Sequence, residues 1–175
     1  LDADGNPVTT VSGTATVTAH WTASNKTEYT VIHWQENADD NGYSYAESDK
    51  DQPGASGAQT AARAKSYLGF TAQAIEQKTI AGDGSTIVNV YYKRNVYTVT
   101  FWSVKRNTWG WVKDREITQN RIIAKYGENI KDRWPGGVWS ISPGGSTFQA
   151  NIDVMPLEGD EFFQTNQGNA NAYYY

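Results

Sequence analysis

Cysteine is absent from the 175 residues, so neither a disulfide framework nor a thiolate metal site is open to this chain, and stability has to come from packing. Long apolar runs are absent too, and nothing approaches the ~20 residues that cross a bilayer as a helix. Basic residues are few: 15 Lys and Arg stand against 19 Asp and Glu, for a net charge of -4. Those cations are scattered, which argues against a surface that tracks phosphates and against nucleic acid as a partner. No signal peptide or anchoring tail is present. The chain starts and stops at what read as module junctions, so it is expected to be an excised fragment whose missing targeting signals carry no message about its parent.

What is there is aromatic mass, seven Trp and eleven Tyr, each able to bury a large apolar area while its polar tip reaches water. These residues recur in a pattern. The alternating stretch Val88-Asn89-Val90-Tyr91-Tyr92 leads into Val96-Tyr97-Thr98-Val99-Thr100-Phe101-Trp102, and Val17-Thr18-Ala19-His20-Trp21 leads into Tyr29-Thr30-Val31-Ile32-His33-Trp34. The chain stops at Ala172-Tyr173-Tyr174-Tyr175, where another such junction would begin. Self-similarity at a spacing of roughly 70 residues marks a tandem array of small domains. The expected boundaries are 1–25 for the tail of a preceding module or linker strand, 26–94 for a first repeat and 95–175 for a second, longer one. Residues 93–95 form a very short linker between the two repeats.

Between residues 28 and 93 the pattern reads strand, strand, helix, strand, strand. Tyr29, Val31 and His33 alternate with Thr30, Ile32 and Trp34, which puts apolar weight on both faces and predicts a central strand. Asn41-Gly42 turns the chain into a strand over 43–48. Four alanines without a breaker between Ala58 and Lys65 predict one short helix, bracketed by Gly57 and Gly69. Residues 70–75 and 87–92 supply the remaining strands. The second module repeats the order with a longer hairpin, tipped by Thr108-Trp109-Gly110-Trp111, and a helix over 126–134 stopped by Pro135-Gly136-Gly137. Its strands fall at 138–141, 147–150 and 169–175, with an edge strand at 161–163. First and last strands, 29–34 with 87–92 and 96–103 with 169–175, are expected to pair in parallel, as a crossover permits. Tyr91, Tyr97, Phe101 and Tyr174 are the candidates for the module cores.

This order of elements resembles the Listeria/Bacteroides repeat, the internalin-type B repeat of Gram-positive surface proteins. The residues that carry the resemblance are the Tyr-Thr-Val openings, Gly69-Phe70 and the closing Val90-Tyr91-Tyr92 and Ala172-Tyr173-Tyr174-Tyr175. The second module adds Ala124-Lys125-Tyr126-Gly127, Ile130, Trp134-Pro135 and Asp153-Val154-Met155-Pro156. The fold class it implies is α+β: two tandem β-grasp-like modules, each a mixed sheet with one short helix, preceded by an N-terminal strand remnant. It also implies an extracellular, cell-wall-attached protein in which such modules form a stalk, sometimes with adhesive roles. It brings no catalytic residues.

The residues themselves point the same way. His20 and His33 sit in strands beside tryptophan, with no Gly-x-Ser-x-Gly elbow and no second ligand set at metal spacing. Asp2-Ala3-Asp4-Gly5-Asn6 opens like a calcium loop but lacks the closing bidentate Glu, and reads as a turn. Asp39-Asp40, Asp49 with Asp51, and Glu158-Gly159-Asp160-Glu161 read as solvated loop carboxylates rather than an acid–base pair. Pro143-Gly144-Gly145-Ser146 lacks the lysine and following helix of a phosphate cradle. No enzyme, metal or cofactor is expected. A Lys–Asn cross-link would need a lysine buried beside an asparagine and a carboxylate, and no lysine is marked as buried by its neighbours. The candidate ligand-binding residues are Trp109 and Trp111, which alternation would set on one face of a hairpin, free to stack on a sugar. The competing reading is that both rings cover the core. The function expected is a non-catalytic stalk segment that extends and presents an adhesive region. Its partners would be neighbouring repeats and a host protein or glycan, with no membrane insertion. The alternative is a carbohydrate-binding module using exposed tryptophans.

Overall fold

The computed structural model describes residues 16, 18–20, 22, 24–145, 148–149 and 152–165, with 148–149 described by backbone alone. The turn expected at 2–6, most of the remnant strand before residue 22, the closing strand at 169–175 and Tyr174 lie outside the described residues.

The first sheet is built from β1 (Thr27–Glu36), β2 (Tyr43–Gly54), β3 (Phe70–Ala72) and β4 (Ile87–Arg94), in the order β2-β1-β4-β3. β1 runs antiparallel to β2 and parallel to β4, in register from Thr30↔Ile87 to Gln35↔Tyr92. The parallel pairing expected of 29–34 with 87–92 is therefore present. The second sheet uses β5 (Val96–Asn107), β6 (Gly110–Glu116), β7 (Ile122–Lys125), β8 (Trp139–Ser140), β9 (Phe148–Gln149) and β10 (Asp160–Gln164). Its path is β6-β5-β10-β8-β9, with β7 also paired to β5. β6 and β7 together do for β5 what β2 does for β1, interrupted by a 3-10 turn at Thr118–Asn120. The parallel place beside β5, expected for 169–175, is taken by β10, from Asp160↔Val99 to Phe163↔Trp102. Residues 161–163 thus lie between β5 and β8 rather than at an edge.

The α+β expectation is overturned. No α-helix occurs among the described residues, only 3-10 turns at Thr118–Asn120 and Lys131–Arg133. The alanine-rich crossover runs extended, with Thr60 and Ala62 buried and Ala61 and Arg63 exposed. The physical reason is that this backbone finds its partners elsewhere in the fold, on the sheet and on the segment between β3 and β4. The Tyr29 hydroxyl accepts from Ala61 N–H at 3.1 Å and the Tyr92 hydroxyl from Lys65 N–H at 2.8 Å. The Gln77 side chain accepts from Ala62 N–H at 3.0 Å and donates to Ala62 C=O at 2.9 Å. A helix of about eight residues is marginal alone because nucleation is costly, so these tertiary bonds prevail over alanine's propensity.

The helix expected over 126–134 gives way to the same device. Gly127 N–H donates to Met155 C=O, Met155 N–H to Glu128 C=O and Ile130 N–H to Asp153 C=O, each at 2.9 Å. The first module makes the matching bonds at 2.8 Å: Gly57 to Ile80, Ile80 to Ala58 and Thr60 to Lys78. In both modules the start of the crossover is stitched to its end, and Ile80 and Met155 fill matching places in the two cores.

Each sheet has its own core. Tyr29, Val31, Val88, Val90 and Tyr92 line the first, beneath Ile80 and Ala62. Val99, Phe101, Phe162 and Trp139 line the second, where the Phe101 ring meets Trp134 at 5.1 Å and Trp139 at 4.8 Å, both edge-on. Phe101 is fully buried, Tyr97 is half-buried, and Tyr91 is 39% exposed. Alternation along β4 turns Tyr92 inward in place of Tyr91.

Candidate functional site: the paired strands and the joint between the sheets

β4 ends at Arg94 and β5 begins at Val96, so Asn95 alone connects the two sheets. Both of its peptide groups are held. Asn95 N–H donates to Gly69 C=O, and Asn95 C=O accepts from Tyr126 N–H, each at 2.8 Å. Thr71 Oγ1 donates to Asn95 Oδ1 at 2.6 Å. The Tyr126 ring lies directly on Gly69, where φ is +80° and a Cβ would overlap the ring. It also meets Phe70 and Tyr97 edge-on at 6.1 and 6.5 Å.

Arg94 fastens this packing from the first sheet. Its Nε donates to Glu36 C=O and its Nη1 to Tyr126 C=O, both at 2.7 Å, while the guanidinium stands 4.9 Å over the Phe70 ring. Lys125 fastens it from the second sheet, with Nζ 3.0 Å from Glu36 Oε1 and also paired with Asp40. Burial pushes the Glu36 carboxyl up, but the Arg94 backbone N–H at 2.9 Å and the Lys125 ammonium outweigh it and hold the group below its ordinary 4.5. Asp40 first, then Glu36, holds the Lys125 ammonium above its ordinary 10.5.

Beneath the first sheet lies a polar network that anchors the crossover. His33 is fully buried, its Nδ1 2.8 Å from the Tyr92 hydroxyl and its Nε2 3.1 Å from Asp49 Oδ2. One proton arrangement satisfies every member. Nε2–H donates to Asp49, the Tyr92 O–H donates to Nδ1, and the Tyr92 oxygen is left to accept from Lys65 N–H. The Lys65 ammonium bridges Asp49 at 2.5 Å and Glu47 at 2.6 Å, and the Tyr67 hydroxyl donates to Glu47 at 2.5 Å. Lys65 holds both carboxyls low, with Tyr67 also acting on Glu47, and the two carboxylates hold Lys65 high. Burial, then Glu47, pushes the Tyr67 phenol up. Lys65 is thus the lysine placed against a core network, and its partners are carboxylates rather than an asparagine. These shifts favour an ion pair and oppose amide formation, which needs a neutral amine.

The residues singled out from sequence are not brought together here. Trp109 occupies the turn between Asn107 and Gly110, where strand alternation no longer applies, and is 93% exposed. Trp111 is half-buried, packed on Gly144, which has φ +65° and no room for a Cβ. Asp49 lies within β2 in the polar network rather than in a loop, while Asp40 is an exposed turn carboxylate, as expected, that also pairs with Lys125. Sequence reasoning placed the linker at residues 93–95 but missed Glu36 and Lys125, and the bonds Arg94 makes across it. The motifs Gly69-Phe70 and Lys125-Tyr126-Gly127 turn out to face each other at that linker. Among the described residues no helix is long and apolar enough to cross a membrane. Comparison with known family models, with curated proteins and with solved structures finds no match.

Proposed function

We propose that this chain is a load-bearing spacer: a non-catalytic stalk segment of an extracellular, cell-wall-attached protein, built of modules of the Listeria/Bacteroides-repeat kind, that holds an adhesive region at a distance. The observation that carries this reading is the parallel adjacency of β1 with β4 and of β5 with β10. In such a pair the chain enters at one end and leaves at the other, so tension shears the ladder hydrogen bonds together instead of opening them singly. Asn95 then hands the load from β4 to β5 with no slack, and Arg94, Tyr126 and Lys125 keep the hand-over stiff. Pulling a single molecule by its ends should give two separate, abrupt, high-force unfolding events. Gradual lengthening at low force, as when a hairpin unzips, would remove the basis for the proposal.

A further inference from the structure

We propose that the open face of the first sheet binds a neutral oligosaccharide. One face of this sheet covers the core; the other carries Thr30, Ile32 and Trp34 from β1 and Ile87, Asn89 and Tyr91 from β4, all half-buried or exposed. In register, Tyr45 on β2 lies opposite Trp34, and Trp34 lies opposite Tyr91. Three aromatic side chains therefore form a row across three adjacent strands, spanning roughly 10 Å at the usual strand spacing. Tyr45 is 58% exposed and Tyr91 39%.

The row is preorganised. Trp34 Nε1 donates to Asn89 Oδ1 at 2.9 Å, the Trp34 and Tyr45 rings meet at 81°, and Tyr43 closes one side against Tyr91 at 4.9 Å. The Tyr43 hydroxyl accepts from Gln73 Nε2 at 2.7 Å. Asn89 Nδ2 and the Tyr91 hydroxyl have no protein partner among the described residues. The face therefore combines fixed rings with uncommitted amide and hydroxyl groups, and its row contains no formal charge. That is the complement of a sugar chain, which presents C–H faces to rings and hydroxyls to neutral donors and acceptors. Lys93, two residues beyond Tyr91 on β4, has the carboxylate of Glu36 close to it.

The second sheet supplies the contrast. Its open-face Trp102 carries the Lys113 ammonium 3.8 Å over the ring, and Lys113 is paired with Glu161 at 2.5 Å. An ion pair straps that ring, whereas among the described residues no cation stands over Tyr45, Trp34 or Tyr91.

The test is an array of neutral oligosaccharides (gluco-, xylo-, manno-, galacto- and N-acetylglucosamine hexamers), followed by calorimetry on the best of them. The proteins compared are wild type, Tyr45→Ala, Tyr91→Ala and Trp109→Ala, each checked for an unchanged thermal midpoint. Tyr45 and Tyr91 are exposed enough that truncation should leave folding intact. The expected result is binding that weakens about tenfold or more in the two tyrosine variants and is unchanged in Trp109→Ala. Binding to none of the hexamers, binding that both tyrosine variants retain, or binding lost in Trp109→Ala would each overturn the assignment. So would wild-type self-association that Tyr45→Ala abolishes, since the face would then belong to a second copy.

Discussion

Gly69 shows how much one backbone position decides. Its φ of +80° lies in the left-handed region that side chains rarely adopt, and the Tyr126 ring occupies the volume a Cβ would need. Gly69 C=O also receives Asn95 N–H, so the same residue terminates the approach to β3 and seats the connector. Gly69→Ala should cost about 1–3 kcal/mol through backbone strain and the displaced ring. The informative readout is orientation rather than stability alone. Residual dipolar couplings should fit one alignment tensor for both sheets in the wild type and two different tensors in the variant. A variant that keeps a single tensor would show that Tyr126 on Gly69 does not set the joint.

Among the elements, the crossovers depart furthest from local propensity. Residues 60–67 have no regular ladder of their own, yet they are held to the sheet by two tyrosine hydroxyls and to the segment between β3 and β4 by one glutamine side chain. Gln77 satisfies both backbone groups of Ala62. Gln77→Ala leaves both of those groups without this partner and should destabilise the first module by about 1–3 kcal/mol. Hydrogen exchange should lose protection at Ala62 while Lys65, still bonded to Tyr92, keeps it. Equal loss at both amides would mean that the crossover detaches as one piece and that the individual bonds are not separable anchors.

For the molecule as a whole, the joint and the polar network set the pH range. Glu36, Glu47 and Asp49 are held below their ordinary values, so their contribution is complete above those values and is lost as pH falls through the lowered ones. Lys65 and Lys125 are held above 10.5, so theirs is complete below that value and is lost as pH rises through the raised ones. Stability should therefore be level between about pH 5 and pH 10 and fall on either side. Acid should therefore act at two places, releasing the Glu36 contacts at the joint and the Glu47 and Asp49 contacts that hold Lys65 to the first sheet, while the second apolar core contains none of these groups. Small-angle scattering from pH 7 to pH 3 should show a broader range of inter-sheet angles, and any change in near-ultraviolet circular dichroism should come from the first module's tyrosines. Lys125→Ala should show the broader range already at pH 7. A joint in that variant as stiff as in the wild type would assign the coupling to Arg94 and Tyr126 instead.

Strand positions were legible in the sequence because alternation is local. Tyr29, Val31 and His33 against Thr30, Ile32 and Trp34 placed β1, and the tyrosine-rich return strand placed β4, with their parallel pairing. The helices were misread for the same reason, since alanines at 58–65 argue for a helix only while the Tyr29 and Tyr92 hydroxyls and the Gln77 amide are out of view. Likewise Trp109 and Trp111 looked like a pair until a two-residue turn took Trp109 off the strand and Gly144 received Trp111. The place of the joint was legible as the short linker at 93–95, but its contacts were not, because Glu36, Asp40, Gly69, Arg94 and Lys125 are spread across both modules and no local pattern relates them. Periodicity, set by the two faces of each strand, was determined by the sequence alone. Which backbone groups were satisfied by distant side chains, and which charges met across the connector, was decided only by the tertiary structure, because a hydrogen bond between residues far apart in the chain exists only once the fold brings them within 3 Å.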